Sequence, residues 1–73
     1  MTSRSVILFK NVRWVIKADK LLQQNGIVCK IIPVPTFISS ECGMCIETAA
    51  KDCSAITRLL TDNGFVFKIQ EVD

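Results

Sequence analysis

The sequence predicts an α+β fold of the ferredoxin-like kind, with two β-α-β halves building a four-stranded antiparallel sheet and both helices on one face. Three observations predict it. The pattern L-L-x-x-N-G-[IF]-V-x-K-I occurs twice, from Leu21 to Ile31 and from Leu59 to Ile69. In each copy the glycine, Gly26 or Gly64, reads as the left-handed cap of a helix that has just ended. A short apolar stretch precedes each helix. Two copies are too few for a solenoid, but they suit a small fold with internal pseudo-symmetry in the order β-α-β-β-α-β.

The elements follow in order. Ser5 to Phe9 is short, apolar and rich in branched residues, which predicts the first strand. Asn11 is placed to cap the helix that follows. In that helix Val12, Val15, Ala18 and Leu22 recur at helical spacing, and Ile16 and Leu21 widen the apolar face. The repeat places the second strand over residues 27–31 and the fourth over 65–69. Met44 to Thr48 is the candidate third strand. The second helix is expected over residues 50–63, with Cys53, Ile56, Leu59 and Leu60 on its buried side. Between the second and third strands the symmetry breaks. Pro33-Val34-Pro35 holds the chain extended and lacks two ladder donors. A long connection then runs through Thr36 to Cys42, where a short hairpin would be usual.

Seventy-three residues, 49% of them hydrophobic and 22% charged, predict one globular domain over 1–73 with a small core. Such a domain has little stability to spare, so a homodimer is an expectation. The net charge of +2 implies neither nucleic acid nor an anionic membrane as partner. No secretory leader and no apolar run of bilayer length is visible, so the cytoplasm is the expected compartment. There is no histidine, so imidazole chemistry is excluded. No glycine-rich phosphate loop is present, and Asp52 and Asp62 are too isolated for an acid–base pair. Arg13, Lys17 and Lys20, extended by Gln24, share one face of the first helix. A solvated surface is the plainer reading of that stripe, and an acidic protein or RNA the sharper one. Trp14 lies off the main apolar face and reads as a half-buried flank.

The four cysteines carry the chemistry. Cys29 alternates with Lys30 and is expected to face the helices with Ile27 and Ile31, as a small core residue. Cys53, in the first turns of the second helix, is also expected to pack. A helix N-terminus lowers a thiol pKa, which leaves a second redox partner open there. Cys42 and Cys45, in C-G-M-C, are read as an exposed pair in and just after the long loop. A C-x-x-C pair can bind one metal, close one disulfide, or carry one sulfur. Gly43 removes bulk beside Cys42, while Ser39, Ser40 and loop amides can donate to a thiolate. Glu41 opposes thiolate formation, and Lys51 is the nearest candidate cation.

The run P-V-P-T-F-I-S-S-E-C-G-M-C-I, from Pro33 to Ile46, resembles a family of small bacterial and archaeal proteins described as selenium/sulfur carrier-like. The resemblance extends over the chain, through Ala18-Asp19-Lys20-Leu21-Leu22 and both N-G helix ends. It implies that Cys42 and Gly43 are the family's cysteine and glycine, Ser39 and Ser40 its serines, and Pro33 and Pro35 its prolines. Cys45 falls where members vary. Thr36 departs from the pattern, which has a basic residue after the proline.

The resulting expectation is a carrier rather than a turnover enzyme. Cys42 holds a persulfide or perselenide, Cys45 resolves it to a disulfide, and donor and acceptor proteins are the partners. No cofactor is expected. Two alternatives come from other classes. One is a soft-metal module binding Cu(I) or zinc through Cys42 and Cys45, with Met44 nearby. The other is a non-catalytic interaction domain.

Overall fold

The computed structural model describes residues 3–38 and 43–72. The elements are β1 (Arg4–Leu8), α1 (Val12–Gln24), β2 (Cys29–Pro33), β3 (Met44–Ala49), a 3-10 turn (Ala50–Asp52), α2 (Cys53–Asp62) and β4 (Lys68–Glu71). Every neighbouring strand pair is antiparallel, in the order β2-β3-β1-β4. This is the predicted ferredoxin-like α+β architecture.

The centre of the sheet is a row of isoleucines. Ile31 pairs with Ile46, Ile46 with Ile7, and Ile7 with Ile69, so one isoleucine from each strand lies side by side. Val15, Ala18 and Leu22 of α1 and Ile56 and Leu60 of α2 pack on this row in one buried cluster with Phe9. Burying an isoleucine side chain stabilises by about 2 kcal/mol. β-branched side chains paired across strands also fit the pleated surface well. Trp14 flanks the cluster with its ring 5.3 Å from that of Phe65 in an edge-on contact.

The repeat reappears as matched hydrogen bonds. Gly26 N donates to Gln23 O and Ile27 N to Leu22 O; Gly64 N donates to Thr61 O and Phe65 N to Leu60 O. Both are Schellman caps. Asn25 and Asn63 each donate a side-chain amide to the carbonyl four residues earlier, Leu21 and Leu59, at 2.8 Å. Asn11 caps α1 as expected, accepting from Trp14 N at 3.2 Å.

Several boundaries differ from expectation, for physical reasons. β2 and β4 begin two and three residues later than the repeat suggested, because the amides of Ile27 and Phe65 belong to the caps and not to the ladder. β1 lies one residue earlier than expected. α2 opens with a 3-10 turn, since neither Ala49 nor Asp52 supplies a side-chain cap bond. Val12 and Ile16 do not join the core; they are 48% and 47% exposed. No helix of the described residues is long and apolar enough to cross a membrane.

The isoleucine row yields a direct test. Ile46→Val should cost about 1 kcal/mol by urea unfolding. Val66→Ala, at an exposed position, should stay within about 0.5 kcal/mol of the wild type.

Candidate functional site

β1 and β2 finish at the end of the sheet where β3 and β4 begin. The long connection between β2 and β3 leaves from this end. Its base is closed by Val34 N donating to Gly43 O at 3.0 Å, one step beyond the Pro33–Met44 pair. Pro35 starts a turn in which Ile38 N donates to Pro35 O at 3.0 Å. The turn leaves Phe37 70% exposed and buries Ile38. Ser39, Ser40, Glu41 and Cys42, among them the predicted primary thiol and its two serines, lie outside the described residues.

Gly43 takes φ +76°, and a Cβ there would meet nothing within 4 Å. Glycine is needed at this point for its left-handed backbone. That is a different reason from the steric opening beside Cys42 that the sequence suggested.

The expectation of an exposed cysteine pair is corrected at Cys45. Its side chain is 0% exposed, in a second buried cluster with Val6 and Ile38, flanked by Leu8, Ile32 and Val34. This cluster lies on the sheet face away from the helices. The cause is strand alternation: Ile46 faces the helices, so Cys45 must face the other way. Ile38 is the residue that sequence reasoning missed. Its signal was an apolar pair, Phe37-Ile38, inside an otherwise polar loop directly after a turn-setting proline.

The other cysteines are not brought to this place. Cys29 packs against the helix-side cluster as predicted. It pairs with Thr48, three residues along β3 from Cys45 and on the opposite face. Its thiol donates to Asp19 Oδ1 at 3.5 Å. Burial, the hydrogen bond to Asp19 and the charge of that carboxylate push the Cys29 pKa up to about 11. Cys53 is half-buried at the start of α2, beyond the far end of β3 from Gly43. A site using all four thiols is therefore not assembled. Among the described residues no group of three or more His, Cys, Asp or Glu side chains comes together. Lys51, the candidate cation, also lies past the far end of β3 from Gly43.

A cleft of about 640 Å³ lies at that far end. Part of its charged lining is paired. Glu47 Oε1 holds Arg4 at 2.7 Å and Lys30 at 3.5 Å. The remaining lining includes Lys51 and Asp52 beside Val28, Thr48 and Ala49. The cleft's lining includes none of Gly43, Met44 and Cys45.

Two measurements check this geometry. Cys29 is held protonated in the folded protein above its ordinary value of 9.0. A raised folded pKa means the unfolded chain releases this proton first, so stability falls as pH rises from about 9 to about 11. Cys29→Ala should remove that part of the fall, seen by comparing urea unfolding of the two proteins across the interval. Separately, Ile38→Ala should speed alkylation of Cys45 on the order of tenfold, because it loosens the packing over that sulfur. Peptide-resolved mass spectrometry reads the rate.

A protein-family model described as "Putative Se/S carrier protein-like" matches residues 4–69. No curated protein and no solved structure matches the chain.

Proposed function

The chain belongs to this Se/S carrier-like family, and from that premise we propose that it carries one sulfur or selenium atom on Cys42. The observation that supports this best is the family match itself, which runs from the start of β1 into β4 and covers the whole C-G-M-C segment. The carrier is a transfer protein rather than a turnover enzyme.

In the loading step the Cys42 thiolate attacks the outer sulfur of a donor persulfide. The donor's S–S bond breaks, a new S–S bond forms on Cys42, and the negative charge leaves on the donor thiolate. No net oxidation occurs, because the sulfane sulfur moves intact. Selenium moves in the same way from a donor perselenide. In the release step an acceptor nucleophile takes the outer atom. Alternatively the Cys45 thiolate attacks the Cys42 sulfur and expels hydrosulfide or hydroselenide. The two cysteines are then oxidised to a disulfide while the chalcogen is reduced, and a thiol reductant resets the pair.

The burial of Cys45 bears on that second route. Its sulfur is packed with Val6 and Ile38, so a persulfide on Cys42 keeps its cargo until the Val34–Ile38 segment moves. Ser39 and Ser40 are proposed to donate to the Cys42 sulfur, and Pro33 and Pro35 to set the course of the loop. With Lys51 at the far end of the sheet, loop amides and these hydroxyls are the proposed stabilisers of the thiolate.

Incubation with a cysteine desulfurase and cysteine should add one sulfur to the protein, read by intact mass. Cys42→Ala should abolish the adduct and Cys45→Ala should prolong its lifetime. An adduct that persists in Cys42→Ala contradicts the mechanism.

A further inference from the structure

Among the described residues six large apolar side chains are exposed, and three of them, Val12, Trp14 and Ile16, sit in the first five residues of α1. Val12 and Ile16 are one helical turn apart on one shoulder of the helix. Trp14 is on the other shoulder, against Phe65. Between the shoulders run Arg13, Lys17 and Lys20, all exposed. Arg13 and Lys17 are four residues apart, and Lys17 and Lys20 three, spacings at which like charges repel on a helix. The only acid of α1, Asp19, is turned away to Gln23 and the Cys29 thiol. The outer face of α1 therefore carries a basic stripe between apolar shoulders and no counter-charge of its own.

The position adds to the composition. Leu8 pairs with Cys45, so the turn leading from β1 into α1 and the Gly43 start of β3 leave the sheet on adjacent strands at the same end. The first turns of α1 thus border the end of the molecule from which the chain runs into Cys42.

We infer that the outer face of α1, centred on Trp14, Arg13 and Lys17, docks an acidic protein surface, that of the donor which loads Cys42. This rests on the carrier reading above. Exposed aromatic and arginine side chains with apolar neighbours are the composition of a protein-binding hot spot, and a charge-complementary partner supplies the missing acids. RNA fits the same face less well. The Lys17 ammonium lies 5.1 Å from the Trp14 ring centroid and Phe65 meets the ring edge-on, so the indole is not an open platform for a stacked base. The apolar shoulders also offer nothing to a phosphate backbone.

The test compares two donors with wild type and an Arg13→Glu/Lys17→Glu variant. One donor is a cysteine desulfurase charged with cysteine, the other glutathione persulfide, which needs no docking surface. Sulfur on Cys42 is followed by mass, and binding of bulk transfer RNA is measured in parallel at physiological salt. The variant should load from the desulfurase about tenfold more slowly and from glutathione persulfide at the wild-type rate, with a circular dichroism spectrum and urea midpoint like the wild type's showing that it is folded. Added salt should slow desulfurase loading of the wild type and leave the variant little changed. Equal desulfurase rates in the two proteins would overturn the docking. So would a wild type that loads only from glutathione persulfide, or transfer-RNA binding that is strong in the wild type and lost in the variant. A wild type that loads from neither donor defeats the carrier reading, and this inference with it.

Discussion

The row Ile31–Ile46–Ile7–Ile69 is the constraint on which the rest of the molecule depends. It takes one residue from each strand, it is covered by both helices, and it fixes the register of all three strand pairings at once. A slip of one residue in any strand would turn that strand's isoleucine to the other face and bring a different set of side chains under the helices. The helices contribute Val15, Ala18 and Leu22 from one and Ile56 and Leu60 from the other, all fully buried. In a domain of this size few other apolar contacts are available to compensate for a lost one.

The same row decides where the cysteines go. With Ile46 held toward the helices, Cys45 has no choice but the opposite face, where Val6 and Ile38 enclose it. With Ile31 held toward the helices, Cys29 two residues earlier joins it there and meets Asp19. Cys29 and Cys45 are thereby held on opposite faces of the sheet. The proposed division of labour rests on this separation: Cys42 as the thiol that would hold an atom, and Cys45 packed under Val6 and Ile38.

Much of this was legible in the sequence, and the exceptions have identifiable causes. The repeated L-L-x-x-N-G pattern pointed to both Schellman caps, and its spacing led to the order of strands and helices. The strand starts were misjudged because Ile27 and Phe65 look like strand residues while their amides close the caps. Asn11, Cys29, Lys30 and Trp14 sit as their local patterns indicate. The exposure of Cys45 was misjudged because a loop motif was read along the chain, whereas its burial is set by Ile38 arriving from elsewhere in the loop. The place of Lys51 needed the length and direction of β3, which sequence adjacency does not give. Val12 and Ile16 looked like core by periodicity, yet the sheet beneath α1 is already filled by the narrower stripe of Val15, Ala18 and Leu22.

The most direct measurement of the central claim is the mass of the protein purified from its own cell without reductant, followed by proteolysis to locate any added atom. The account predicts one extra sulfur or selenium on the peptide that contains Cys42, removed by mild thiol treatment. An added chalcogen on Cys29 or Cys53 instead, or a metal retained through Cys42 and Cys45 with no chalcogen, would contradict it.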